Sequence, residues 1–145
     1  MIVDHPESVS IVALDGERIV VVLQSRPGAR TRTVELPAGT LEPGEAPAGA
    51  AARELREECS LAAGAWRALG SFWAAPAYST ERVHVFEARA LIAATGVPDD
   101  DEDITVQRRT LADLPRALSD ATSIAAFALW ERAVGGAPVS ARDRG

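Results

Sequence analysis

Runs of apolar and β-branched residues divide the chain into predicted strands and helices. Residues 8–14 and 18–25 are two β-branched runs on either side of Asp15-Gly16, a dipeptide that favours a tight turn, so they predict a β-hairpin. Residues 33–36 then predict a short strand. The first part of the chain is therefore expected to form paired strands.

A helix is predicted to follow a loop near the middle of the chain. Residues 40–46 are rich in Pro, Gly and Glu, and Pro47 suits a first helical turn, where its missing N–H costs nothing. Residues 48–59 are mostly strong helix formers, with Gly49 the weak one. This pattern predicts a loop that leads into a helix at residues 48–59.

The second half of the chain predicts further strands and then helices. Its candidate segments are strands at residues 66–75, 82–91 and 104–107, a helical turn at 115–118 and a longer helix at 123–134. Strands mostly follow one another, with one helix after the third strand and others at the end. This order indicates an α+β fold or a sandwich with a mixed sheet, rather than regular βαβ alternation.

Length and cysteine content limit the architecture. The 145 residues fit one domain, residues 1–145, whose ends at 1–7 and 135–145 we expect to be flexible. Because Cys59 is the single cysteine, no disulfide can form within the chain, and a reducing cytoplasm is the expected location. The first residues show neither a basic start nor an apolar stretch, so we expect no secretory signal.

Charge and hydropathy limit the expected partners. The chain has 15 basic and 21 acidic residues and a net charge of −6, which disfavours broad contact with nucleic-acid phosphates. Its longest apolar run, residues 124–130, is far shorter than the roughly 20 residues of a membrane-spanning helix. We therefore expect no nucleic-acid or membrane partner. A small anionic ligand stays compatible with the charge, because local arrangement can outweigh the net value.

Three glutamates share one face of the predicted helix. Glu54, Glu57 and Glu58 are spaced i, i+3 and i+4, and no basic residue is expected between them on that face. Like charges at this spacing cost a helix about 0.2–0.5 kcal/mol per pair. A divalent cation would reverse that cost, because clustered carboxylate oxygens bind Mg²⁺ or Mn²⁺, and Mg²⁺ also accepts phosphate oxygens from a substrate. A solvated helix face is the alternative that these three residues alone leave open.

The spacing around these glutamates carries a resemblance to a known family. The pattern G-x5-E-x7-R-E-U-x-E-E-x-G-U, with U aliphatic, is matched at Gly39, Glu45, Arg53, Glu54, Leu55, Glu57, Glu58 and Leu61. This segment resembles the Nudix box. The resemblance implies a Nudix-type α/β/α sandwich with a mixed β-sheet. It also implies metal-dependent hydrolysis of a nucleoside diphosphate linked to another moiety.

One position departs from the box. Ser60 stands where the family has glycine, just past the predicted helix. A left-handed conformation there costs a residue other than glycine about 1 kcal/mol. We expect this departure to affect the end of the helix more than the chemistry.

The resemblance implies roles for individual residues of the box. Glu54 and Glu58 would be the principal ligands of Mg²⁺ or Mn²⁺, with Glu57 a further ligand. The backbone carbonyl of Ala38 would be another ligand. Arg53, like Glu45, would orient the box glutamates. The catalytic set expected within the box is Arg53, Glu57 and Glu58.

A second resemblance lies outside the box. Pro76 stands 15 residues beyond Leu61, and residues 79–82 read Ser-Thr-Glu-Arg. Both features are typical of the ADP-ribose pyrophosphatase branch, which implies conversion of ADP-ribose to AMP and ribose 5-phosphate. Within the tetrad, Glu81 matches a position that contacts the terminal ribose, and we expect its neighbour Arg82 to bind substrate as well.

Two arginines precede the box in a loop. Arg26 and Arg30 lie where guanidinium groups could grip phosphates bidentately, so we expect both to bind substrate. Exposure as ordinary surface arginines is the alternative for each of them.

An acidic loop at residues 98–103 precedes Ile104. The branch has an acidic loop here that supplies a catalytic glutamate and sometimes a metal contact. Glu102 is therefore expected as catalytic base or metal ligand, and Asp100 is the alternative.

Two alternative functions remain open from the sequence. One is hydrolysis of another nucleotide sugar or nucleotide, and the other is a Nudix-like sensor that binds a nucleotide without cleaving it. A homodimer is expected from analogy with the branch alone.

Overall fold

A computed structural model gives the fold of residues 1–95 and 103–135. In chain order the strands are β1 (Ser8–Asp15), β2 (Arg18–Arg26), β3 (Thr31–Glu35), β4 (Ala38–Thr40), β5 (Leu61–Trp73), β6 (Arg82–Ala93) and β7 (Ile104–Thr110). The helices are α1 (Pro47–Cys59), α2 (Leu114–Ala117) and α3 (Ala121–Val134). The predicted hairpin and the predicted helix after the loop are confirmed.

Strand β1 joins the two parts of the sheet. It runs parallel to β6 and antiparallel to β4, while β5 pairs antiparallel with β6. Its hairpin with β2 leads to an antiparallel group, in which β2 pairs with both β3 and β7. Parallel and antiparallel pairs therefore occur together, which confirms the predicted α+β class with a mixed sheet.

The two long helices cover opposite faces of the strands. The cluster under α1 includes Val9, Ile11, Val20, Val22, Leu55 and Phe86. The cluster under α3 includes Val12, Leu14, Ile19, Val21, Phe127 and Trp130. Because successive residues of β1 and β2 enter different clusters, these strands are buried on both faces, as in an α/β/α sandwich. Within the described residues, no helix is both long and apolar enough to cross a lipid bilayer.

Several strand boundaries differ from the sequence prediction because pairing extends strands past residues of low β propensity. β5 begins at Leu61 rather than at residue 66, since its alanine-rich start pairs with β6. β7 continues beyond the predicted 104–107 to Thr110, since each of its residues has a partner in β2. β4 is absent from the prediction, because three residues after a proline give too short a pattern.

The amino-terminal segment is held against the body of the domain. The Val3 N–H donates to the Tyr78 carbonyl at 2.6 Å, and the Thr80 N–H donates to the Val3 carbonyl at 3.0 Å. The His5 N–H donates to the Thr80 hydroxyl at 2.8 Å. These contacts join part of residues 1–7 to residues 78–80, and the predicted flexibility of this segment stays a prediction. Residues 136–145 of the other predicted flexible end lie outside the described residues.

Helix α1 ends as the sequence predicts. Ser60 adopts the left-handed conformation, with φ 54° and ψ 40°, and its N–H donates to the Arg56 carbonyl at 2.9 Å. A serine at the box glycine position therefore preserves the helix end, and the direction of the chain into β5 is kept.

Candidate functional site

A cleft of about 490 Å³ opens where β1, β2, β3 and β4 meet the helices α1 and α3. Five of the predicted site residues line it, namely Arg26, Ala38, Glu54, Glu58 and Glu81. Glu54 and Glu58 come from one helix, whereas the other three residues come from parts of the chain before and after it. The fold therefore gathers one part of the predicted set at a single place.

Gly39 in β4 lets Glu54 reach the cleft. A Cβ atom at Gly39 would lie 2.1 Å from Glu54 Cδ and 2.2 Å from Glu54 Oε1. No side chain larger than hydrogen fits there while Glu54 keeps its position. The first glycine of the box is thus required by the close approach of a carboxylate to the backbone.

Ala38 in β4 turns its backbone polar groups away from β1. The Ile11 N–H donates to the Pro37 carbonyl at 2.9 Å. Because antiparallel pairs alternate, the next pair along, Ser10 with Ala38, exchanges no backbone hydrogen bonds. The Ala38 N–H instead donates to Glu58 Oε2 at 3.3 Å. The Ala38 carbonyl therefore also faces away from β1, on the side of α1.

Arg53 binds several of the box carboxylates at once. Its Nε and Nη2 donate to the two carboxylate oxygens of Glu45 at 2.8 Å each. Its Nη1 donates to Glu54 Oε1 at 2.8 Å and to Glu57 Oε2 at 3.1 Å. The expectation that no basic residue separates the glutamates is wrong, because Arg53 bends over this face and offsets their repulsion.

The pairing of Arg53 with Glu45 shifts the pKa of both groups. The hydrogen bond to Glu45 is the largest effect that raises the pKa of Arg53. The Arg53 hydrogen bonds, followed by the Glu42 N–H, lower the pKa of Glu45 from 4.5 to about 2. Both groups therefore stay charged at neutral pH and keep Arg53 in place beside Glu54.

Glu45→Gln is expected to reduce stability most above pH 4.5. Because folding lowers the pKa of Glu45 to about 2, its charged form stabilises the fold above 4.5, and this contribution is lost as the pH falls towards 2. The difference in urea midpoint between wild type and Glu45→Gln should therefore shrink between pH 5 and pH 3. Glu17→Gln, at an exposed turn residue, is the control. A difference that stays constant with pH would contradict the assignment.

The oxygen donors in the cleft fit a magnesium-like cation. Glu54 and Glu58 supply carboxylates, and the Ala38 carbonyl lies on the same side of β4. Within the described residues, no group of three or more His, Cys, Asp or Glu side chains is gathered as a metal site. Mg²⁺ usually takes only one or two carboxylates and completes its shell with water and substrate phosphates, so two carboxylates suffice.

Glu57 does not line the cleft. Its side chain is 53% exposed, and its Oε2 shares Arg53 Nη1 with Glu54 rather than facing the cleft. Its predicted roles as metal ligand and catalytic residue stay predictions, without support from its position. Glu102 and its alternative Asp100 lie outside the described residues.

Arg26 reaches the cleft, but one edge of its guanidinium is occupied. Its Nε and Nη2 donate to Glu35 at 2.8 and 3.0 Å, and Glu35 is only 6% exposed. Burial raises the pKa of Glu35, but hydrogen bonds from Arg26 and Thr33 outweigh burial and leave the pKa lowered. The edge formed by Nη1 and Nη2 is the one left for a phosphate.

The other two predicted substrate arginines do not line the cleft. Arg30 has φ 55° in the turn after β2 and lines a separate surface groove. Arg82 donates from Nε to Ser71 Oγ at 3.0 Å, and its guanidinium lies 5.5 Å from the centre of the Trp73 ring. Neither arginine is positioned with Glu54 and Glu58.

Glu81 lies in the cleft with residues that the sequence did not indicate. Ser8 Oγ donates to Glu81 Oε1 at 2.7 Å, and His5 Nδ1 lies 3.9 Å from the same oxygen. Both neighbours also line the cleft. They become recognisable only through the pairing of β1 with β6, which brings Ser8 opposite Val83 and close to Glu81.

Cys59 is a packing residue. It belongs to the core cluster under α1, and its side chain forms no disulfide. Burial, together with the nearby charge of Glu58, raises the pKa of the thiol to about 12. A thiol of this kind stays protonated at neutral pH and supplies no nucleophile.

Comparison with known proteins identifies the family. The sequence pattern described as NUDIX domain matches residues 4–129. The chain belongs to the NUDIX family. The box, the cleft glutamates and the sandwich that carries them are therefore features of one Nudix domain.

Individual proteins that resemble this Nudix domain include curated relatives and solved structures. It is 38% identical over 115 residues to the ADP-ribose pyrophosphatase of Bacillus subtilis (strain 168), covering 77% of this chain and 62% of that one. It is 38% identical over 103 residues to the methanol dehydrogenase activator of Bacillus methanolicus, covering 70% of this chain and 56% of that one. The chain thus spans less than two thirds of the length of these relatives.

A solved structure described as an ADP compounds hydrolase shares the fold. It superposes with a TM-score of 0.82 at 25% sequence identity, covering 91% of this chain and 74% of that one.

Proposed function

We propose that this Nudix protein hydrolyses ADP-ribose to AMP and ribose 5-phosphate in the presence of Mg²⁺ or Mn²⁺. The observation that carries the proposal is the placement of Glu54 and Glu58 in one cleft with Arg26 and Glu81. The two glutamates of α1, which can bind a metal ion, and Arg26 suit the pyrophosphate of this substrate. Glu81 suits the hydroxyl groups of its terminal ribose. The resemblance to an ADP-ribose pyrophosphatase and to an ADP compounds hydrolase supports the same choice.

The residues that line the cleft are arranged along β4 in an order that suits the parts of the substrate. Ser8 lies opposite Thr40 in the β1–β4 pair, so Glu81, which Ser8 binds, lies at the Thr40 end of β4. Glu35, which binds Arg26, precedes β4 at its other end. The glutamates of α1 lie between these two ends, beside Gly39 and Ala38. We therefore place the terminal ribose near Glu81 and the phosphates between the glutamates and Arg26.

The chain's own residues have distinct tasks in the proposed reaction. Glu54 and Glu58, with the Ala38 carbonyl, would hold the divalent metal, which neutralises phosphate charge and acidifies a water when bound. Arg53 fixes Glu54 by a direct hydrogen bond and is itself fixed by Glu45. Glu102, or Asp100, is proposed as the base that takes the proton of the attacking water.

Arg26 and Glu81 bind the substrate on either side of the metal site. The Nη1 edge of Arg26 would donate to phosphate oxygens while Glu35 keeps the guanidinium in place. Glu81 would accept hydrogen bonds from ribose hydroxyls. Glu57, Arg30 and Arg82 keep only the roles predicted from the sequence, and they lie outside the cleft.

The partners and the location are proposed from the composition of the chain and from analogy with the branch. We propose a small nucleoside diphosphate derivative as the ligand, a cytoplasmic location and a homodimer. The net charge of −6 supports the absence of a nucleic-acid partner, and the single cysteine supports the cytoplasmic location. The short apolar runs support the absence of a membrane partner, and the homodimer rests on analogy with the branch alone.

An assay of the purified protein with a substrate panel tests the proposal. With Mg²⁺, ADP-ribose is expected to give AMP and ribose 5-phosphate with a kcat/KM at least about tenfold above that of other nucleotide sugars and nucleoside triphosphates. Chelation with EDTA is expected to abolish turnover, and added Mg²⁺ or Mn²⁺ to restore it. Binding of panel members without cleavage of any of them would contradict the proposal and indicate a nucleotide sensor.

A further inference from the structure

The cleft contains a buried carboxylate oxygen that the proposed reaction does not use. Asp120 immediately precedes α3, and its Oδ2 accepts a hydrogen bond from the Ser123 N–H at 3.0 Å, which caps the helix. Its Oδ1 is buried and has no hydrogen-bond partner among the residues that the structure describes. A buried acceptor without a partner is unfavourable, so a donor is expected to complete its hydrogen bonding when a ligand binds.

Asp120 stands at the end of the cleft away from Glu81. It lines the cleft together with Gln24 and Thr122. Its negative charge is one of those that raise the pKa of the nearby Arg26. Beyond Arg26 and Glu35 an adjoining cavity of about 480 Å³ opens, and Asp120 lines this cavity too. The cavity continues the proposed order of ribose, phosphates and Arg26, so its place corresponds to the nucleoside base.

The chemistry of this end suits a base and disfavours a phosphate. A carboxylate repels phosphate oxygens, whereas it accepts hydrogen bonds from N–H groups. The adjoining cavity is lined by small and polar residues, including Ala29, Thr31 and Ser119. An exocyclic amine on the base would supply the donor that Asp120 Oδ1 lacks.

We propose that Asp120 Oδ1 accepts a hydrogen bond from the exocyclic amine of the adenine base and thereby determines the specificity for adenine. This inference rests on the proposed function, because it assumes a nucleoside diphosphate derivative in the cleft. Asp120 then has two tasks, since one oxygen caps α3 and the other reads the base.

Asp120→Asn separates these two tasks. The Ser123 N–H requires an acceptor, so the amide oxygen of the asparagine takes the capping position and its NH₂ group takes the place of Oδ1. The helix cap is kept, while the acceptor that faces the base becomes a donor. Asp113→Asn, at the residue before α2 and outside the cleft, is the matched control.

The test compares ADP-ribose with an analogue whose base is purine, in which hydrogen replaces the amine. Both substrates carry the same phosphates and riboses, so the ratio of their kcat/KM values isolates the base. Wild type and Asp113→Asn are expected to prefer ADP-ribose by about 10- to 100-fold, because the analogue leaves a charged acceptor unpaired. In Asp120→Asn, with an unchanged melting temperature, this preference should fall to about threefold or less.

A binding measurement distinguishes this inference from the proposed function. Calorimetry with AMP and purine riboside monophosphate reads the same contact without turnover, so failed hydrolysis alone would overturn only the proposed function. The inference would be overturned by an equal preference in wild type and Asp120→Asn, by a wild type that hydrolyses the purine analogue as well as ADP-ribose, or by no detectable binding of either monophosphate. If the substrate preference were the same in wild type and Asp120→Asn, Oδ1 would bind a water molecule rather than the base.

Discussion

Glu58→Gln is expected to lower kcat for ADP-ribose on the order of a thousandfold while the fold stays intact. Glu58 lines the cleft and accepts the Ala38 N–H at 3.3 Å, so it sits between α1 and β4 where the proposed metal would be held. Glutamine has nearly the same shape and can still accept this hydrogen bond. It lacks the negative charge that attracts a divalent cation, so chemistry should suffer far more than stability.

Two measurements check the Glu58→Gln prediction. The kcat is measured at saturating ADP-ribose over a range of Mg²⁺ concentrations, and the melting temperature is measured in the same buffer. The Mg²⁺ concentration for half-maximal rate should also rise. Glu17→Gln, in the exposed turn between β1 and β2, removes the same charge far from the cleft and should leave kcat unchanged. If Glu58→Gln kept the wild-type turnover, Glu58 would not be a ligand of the metal.

Gly39→Ala is expected to lower kcat by about a hundredfold or more with only a small loss of stability. The new methyl group would lie 2.1 Å from Glu54 Cδ, so the carboxylate has to move. A displacement of about 1 Å at a catalytic centre costs about a hundredfold in rate. Because the atoms in the way are the far end of a flexible side chain that borders the cleft, the urea midpoint should fall only slightly.

Gly49→Ala is the matched control for Gly39→Ala. Gly49 lies on the exposed side of α1, and the nearest atom to a Cβ placed there is Glu45 Cγ at 4.0 Å. The same added methyl group should therefore raise stability by about 0.5–1 kcal/mol, because alanine favours the helix, and leave kcat unchanged. If both variants kept full activity, Glu54 would not need its observed position.

The predicted site residues that lie together in the cleft come mostly from one helix and the strand just before it. Glu54 and Glu58 are four residues apart, so helical geometry alone places them on one face. The loop before the helix and the strand that provides Ala38 are close in sequence as well. Local spacing was therefore enough to predict that these residues lie together.

Other site residues depend on contacts that no local pattern reports. Arg26 has one edge bound to Glu35 because β2 and β3 pair, and this partner shows only once the register is known. Arg82 faces Trp73, its direct neighbour across the β5–β6 pair, and this local attraction takes it away from the cleft. Asp120 reaches the cleft through the packing of α3, and no motif of the sequence singles it out.

The single thiol of the chain is a built-in reporter for the helix that carries the box. Cys59 is the last residue of α1, only 9% exposed, and burial raises its pKa to about 12. An alkylating reagent can therefore reach it only when the final turn of α1 opens. The labelling rate measures how often the helix bearing Glu54 and Glu58 loosens, and a ligand that tightens the cleft should slow it without any engineered probe.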